Sequence, residues 1–163
     1  MYKYVKTVIF VLLAVLSLQQ AAFATGEIKR PPKPTEGVES SNPNHGSSTE
    51  VQTISPESIS GLLTDWKCSI SNNGADLYLD GASTATDIID QLTLTLYLQR
   101  WDGSQWVDVN SWVFNKYIAK SLYDGTYTNY THGNYYRARA VHFAKNGSQT
   151  DTQYSTSAYI YVP

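Results

Sequence analysis

The chain has 163 residues, of which 42% are hydrophobic, 16% charged and 13% aromatic. That aromatic content excludes a wholly disordered chain, and the length holds one domain with residues to spare. With Lys3 and Lys6 set aside, ten Lys and Arg face 14 Asp and Glu. The remainder carries about −4, too little positive charge to neutralise a phosphate backbone, so nucleic acid is not an expected partner.

Residues 1 to 24 carry the pattern of an export signal. Lys3 and Lys6 supply a positive start, residues 8 to 18 are apolar except for Ser17, and Ala22-Phe23-Ala24 gives the small-x-small pattern that predicts cleavage after Ala24. An uncleaved anchor needs about 20 apolar residues, and here Gln19 and Gln20 intervene early. No membrane span is therefore expected after cleavage. The position after the predicted cut is Thr25, where a lipoprotein would need Cys.

Residues 25 to 61 contain five of the six prolines, all five glutamates and no aromatic residue. Such a composition cannot bury enough surface to offset chain entropy. It predicts a disordered spacer, about 35 Å end to end if it is a flexible coil.

From Leu62 to Pro163 the composition favours strands, with abundant Tyr, Thr and Val and no Glu. Strict alternation predicts strands at 66 to 71, 76 to 80 and 92 to 98, where four leucines share one face. Further strands fit 105 to 114, 121 to 130, 134 to 144 and 153 to 162, and a short helix is possible in principle at 115 to 122. Asn73-Gly74, Asp102-Gly103 and Asn146-Gly147 lie between alternating runs and suit tight hairpin turns. Asp80-Gly81 and Asp124-Gly125 are candidates for further turns or bulges. About seven strands in about 100 residues is the size of an immunoglobulin-like or fibronectin type III sandwich.

Little in the sequence points to catalysis. There is no G-x-S-x-G, no H-E-x-x-H and no Cys/His spacing for a metal. No cofactor pattern is found. His132 and His142 bracket one predicted strand, about 30 Å apart if it is straight, so they cannot share a site. Asp87 and Asp90 are too few to hold a calcium ion. Cys68 is the single cysteine and alternates with Trp66 and Ile70, which favours burial over an interchain link.

Two groups are candidates for binding. Trp101, Trp106 and Trp112 could stack on the apolar face of a sugar, or simply pack across strands. Arg137 and Arg139 project from one strand face about 7 Å apart. They suit an anionic ligand or, more simply, cross-strand ion pairs.

Residues 133 to 147 resemble strand F and the F–G turn of a fibronectin type III or immunoglobulin-like sandwich. The register with Tyr136, Ala138 and Ala140 inward keeps both arginines out of the core and makes Tyr136 the corner tyrosine. The layout from 66 to 162 also resembles an uncharacterised family of small secreted proteins of Gram-positive bacteria. That resemblance rests on Leu98-Gln99-Arg100-Trp101-Asp102-Gly103-Ser104-Gln105-Trp106, on Ser111-Trp112, and on Gly133-x-Tyr-Tyr-Arg-x-Arg-Ala-x-His. It implies secretion and a single β domain, and it carries over no site residue.

The expected function is thus a secreted, non-catalytic binding or surface-associated module, with a cell-wall polymer, a glycan or a protein as partner. The alternatives are a secreted hydrolase and a self-associating matrix component. An open groove lined by the tryptophans would favour binding, a cleft joining His142 to two aspartates would favour hydrolysis, and a long uncovered edge strand would favour self-association.

Overall fold

The computed structural model describes residues 30–51 and 61–163, so the expected export signal and the spacer residues 25–29 and 52–60 lie outside the described residues. Seven strands form: β1 (His45–Ser47), β2 (Leu63–Asn72), β3 (Leu77–Trp101), β4 (Trp106–Thr128), β5 (Asn134–Asn146), β6 (Gln149–Thr156) and β7 (Ile160–Val162). A 3-10 turn spans Ser48–Glu50, and there is no α-helix among the described residues. The chain is all-β, in one curled antiparallel sheet.

The path through the sheet is β1-β2-β3-β5-β6, with β4 beside β3 and β7 beside β5. β3 organises it. Its residues 77–85 pair with β2, its residues 91–100 pair with β5, and β4 runs along its other edge from end to end. One half of the sheet is therefore β1, β2, the start of β3 and the end of β4. The other is the start of β4, the end of β3, β5 and β6.

These halves face each other across the core. On β3 the buried positions are odd from Leu77 to Ala85 and even from Leu92 to Leu98. That change of parity comes with the break in pairing between Thr84 and Ile89, where β3 carries extra residues and turns a corner. Beyond the corner the strand packs on itself: a Cβ on Gly81 would lie 2.9 Å from Leu94 Cδ1. Leu92, Leu94, Leu96 and Leu98 are all buried, and each contributes about 2 kcal/mol by leaving water. β2 lies against β5 and β6 without pairing with either.

The turns at Asn73-Gly74, Asp102-Gly103 and Asn146-Gly147 fall where expected, with glycine φ of 89°, 105° and 59°. Several other expectations need correction. The strands at 76 to 80 and 92 to 98 are one strand, as are those at 105 to 114 and 121 to 130. Asp80-Gly81 and Asp124-Gly125 are not turns but face each other in mid-strand, Asp80 opposite Gly125 and Gly81 opposite Asp124. The segment 115 to 122 is strand throughout, bent at Ile118, whose φ is 50°.

The spacer reading is corrected for residues 30–51. β1 pairs with β2, Glu39 bridges Tyr159 in parallel, and Ala158 N–H donates to Ser47 O at 3.1 Å. The buried Ser48 hydroxyl accepts from Cys68 N–H, and Ser47 and Glu50 form a capping box. Backbone pairing and hydroxyl caps hold this segment, so its lack of apolar side chains did not reveal its order.

Candidate functional site

The outer face of the β4–β3–β5 half gathers most of the residues singled out from the sequence. Gln99, Asp108, Arg137 and Arg139 come together because β4 and β5 flank β3 in register: Gln99 is opposite Asp108 on one side and Arg137 on the other. Arg137 Nε donates to Gln99 Oε1 at 2.7 Å, and Gln99 Nε2 donates to Asp108 Oδ1 at 2.6 Å. Asp108 Oδ2 accepts from Arg139 at 3.0 Å. Each guanidinium also covers an aromatic ring, Arg137 over Trp106 at 4.3 Å and Arg139 over Tyr97 at 4.0 Å. Burial draws Arg137 down to about 10, opposed by Glu36 and assisted by the like charge of Arg139, so it stays charged at neutral pH. Both arginines are thus engaged within the chain.

The tryptophans do not form a common platform. Trp101, a candidate stacking surface by sequence, is only 1% exposed and belongs to a small core with Tyr135 and Tyr159. Trp106 lies edge-on to it at 5.5 Å and donates to Glu36 O at 3.0 Å. Trp112 faces the other way and packs against the main core. Of the two readings the sequence offered for Trp101, a stacking surface or a packing partner, the structure gives it the second. What the sequence could not reveal is the cover: residues 30–40 lie over this face, with Arg30 stacked on Tyr161 at 3.9 Å and Val38 and Ser40 bonded to the Tyr159 backbone.

Tyr136 is buried, with Ala138 and Ala140 beside it on the inward face. Its hydroxyl accepts from Thr131 N–H at 2.9 Å and lies 3.1 Å from Thr131 O, to which it donates. This ties the start of β5 to the loop that precedes it.

His142 is fully buried between Ser83 and Ser155, at 2.8 Å from each hydroxyl, and burial draws it down to about 4. Its neighbours are serines on β3 and β6, not aspartates. Cys68 is buried too, and its thiol is pushed up to about 12, chiefly by that burial. His132 contacts the C-terminal Pro163 carbonyl and Tyr130. An open groove of about 310 Å³ beside β1 brings His45, Lys67 and Asp80 to one rim. There His45 Nδ1 contacts Ser71 Oγ at 2.9 Å, and Asp80 accepts from Ser69 and from Tyr123.

The least satisfied surface is β4. Among the described residues it pairs with β3 alone, so its far edge presents backbone N–H and C=O groups along 23 residues without a strand partner there. Of nine exposed large hydrophobic side chains among the described residues, six lie on this strand: Val109, Val113, Tyr117, Ile118, Tyr123 and Tyr127. Sequence alternation marked the strand but not its place at the edge, because edge position depends on long-range pairing. Compared with protein-family models, with curated proteins and with solved structures, the chain matches none.

Proposed function

We propose that the protein is an exported, non-catalytic β module that acts by contact through the edge of β4. The observation that carries this reading is the strand itself, 23 residues paired on one side only among the described residues and rich in exposed apolar side chains. Unpaired edges of this kind take up another strand, with backbone bonds giving affinity and side chains giving register. Export is supported by the pattern of residues 1 to 24 and agrees with the resemblance to a secreted family. The burial of His142 and Cys68 supports a role without catalysis.

The finer fold reading is a fibronectin type III-like sandwich. Its support is the strand order, β2–β3–β4 in one half and β4–β3–β5–β6 in the other, together with the Tyr136 hydroxyl bonded back to Thr131. In this reading β3 and β4 each serve both layers.

Hydrogen exchange tests the edge. Protein purified from cells expressing the full chain is incubated with and without the surface fraction of the same cells. The expected result is protection of β4 amides on contact, whether the fraction is added or the protein concentration is raised. Protection confined to the Arg137 and Arg139 face, or turnover of surface polymer by the protein, would replace this reading.

A further inference from the structure

Between Val109 and Ile118 the pairing of β4 with β3 is unbroken, from Asn110 opposite Leu98 to Tyr117 opposite Gln91. Val109 is the extra residue of a bulge, and Ile118 has the left-handed φ of 50°, so the two bracket this run. A regular ladder on one edge leaves an equally regular row of donors and acceptors on the other.

From Val109 to Tyr117 the sequence reads Val-Asn-Ser-Trp-Val-Phe-Asn-Lys-Tyr. Its chemical character is the same in both directions: apolar, polar, polar, aromatic, valine, aromatic, polar, polar, apolar. An antiparallel strand pair with a two-fold axis requires such self-complementarity, because residue i meets j and j meets i.

Resting on the edge reading given above, we propose that the partner of β4 is a second copy of the chain, paired antiparallel with its own β4 about a two-fold axis at Val113. On the outer face Val113 then meets Val113 of the second copy, and Ser111 meets Asn115. On the core side Trp112 meets Phe114, an aromatic cross-strand pair formed twice. Lys116 meets Asn110, so no like charges oppose one another within the run. Moving the axis one residue either way sets Val113 against Ser111 or Asn115. Moving it two residues sets Phe114 against Asp108 or Lys116. The axis at Val113 is the register that sets Val113 against Val113 and Trp112 against Phe114 within the unbroken run. Val113 and Tyr117 are 60% and 65% exposed, so the pairing covers side chains that the single chain leaves in water.

The test uses protein purified from cells expressing the full chain, in sedimentation equilibrium over a concentration series. The wild type is expected to show a monomer–dimer equilibrium. Val113→Lys, which sets two ammonium groups against each other at the axis, is expected to remain monomeric with an unchanged circular dichroism spectrum. Val113→Cys is the second arm. Cα atoms across an antiparallel pair lie about 4.5–5.5 Å apart, within reach of a disulfide. Mild oxidation should therefore yield a covalent dimer of Val113→Cys and not of Tyr154→Cys, an equally exposed position on β6. A wild type that stays monomeric throughout, a dimer indifferent to Val113→Lys, or equal cross-linking at Tyr154→Cys would each overturn the proposal. If the chain is monomeric while the cell-surface fraction still protects β4 amides, the second copy is the wrong partner and the edge reading survives.

Discussion

His142 Nδ1 and Ser83 Oγ lie 2.8 Å apart in the core and join β5 to β3 across the two facing halves of the sheet. Nε2 makes the matching contact with Ser155 on β6. Burial disfavours the charged imidazolium here, and the neutral ring, donating through one nitrogen and accepting through the other, satisfies both hydroxyl contacts. Folding therefore favours the unprotonated form, while the unfolded chain binds a proton near the ordinary histidine value of 6.5. The stabilisation is complete above about pH 6.5, is lost progressively as the pH falls towards about 4, and amounts to about 3 kcal/mol. Urea denaturation across this range should show the slope, and His142→Gln should flatten it.

The order of residues 30–51 hangs on one close approach. A Cβ on Gly46 would lie 2.1 Å from the Ala158 carbonyl oxygen, which belongs to backbone and cannot step aside. Gly46→Ala should detach β1 while leaving β2 to β7 folded. Limited proteolysis would then cut within 30–51 in the variant and not in the wild type, and the emission of Trp101 and Trp106 would shift to longer wavelength as their cover leaves.

The two arginines differ in setting, and their replacement should differ too. Arg139 makes a half-exposed ion pair with Asp108, so Arg139→Ser should cost no more than about 1 kcal/mol. Arg137 covers Trp106 and is the donor to Gln99, which is itself buried. Arg137→Ser should cost about 1–2 kcal/mol, with the larger share from the orphaned Gln99 carbonyl. Chemical denaturation of the two single variants decides the order.

Cys68 should resist thiol reagents in the folded protein. It is 2% exposed, and its thiol is held protonated well above neutral pH. Reaction with an aromatic disulfide should proceed at the rate of unfolding, and rapid reaction in native buffer would show that β1 and the Ser48–Glu50 turn do not seal it.

Strand identity and three of the turns were legible because they are local: the leucines of 92 to 98 alternate by themselves, and Asn73-Gly74, Asp102-Gly103 and Asn146-Gly147 each tolerate the positive φ of a tight turn. The joining of strands was not. Nothing in Asp80-Gly81 signals that Asp124-Gly125 will sit opposite, and only that pairing turns two apparent breaks into continuous strand. The site was partly legible for the same reason. The inward face of Tyr136 follows from parity on one strand, whereas the cover over Trp101 comes from residues more than sixty positions earlier, through backbone groups that every sequence possesses.

The parallel bridge between Glu39 and Tyr159 sets how the molecule carries load. The two segments run in the same direction, so a force drawing the chain before Arg30 away from Pro163 pulls them in opposite senses along their length. The bonds from Ser40 to Tyr159 and from Tyr159 to Val38 are then sheared together instead of being opened one after another. Forced unfolding is governed by the barrier to the first rupture. A module held at both ends would place that barrier at the clasp of its own termini.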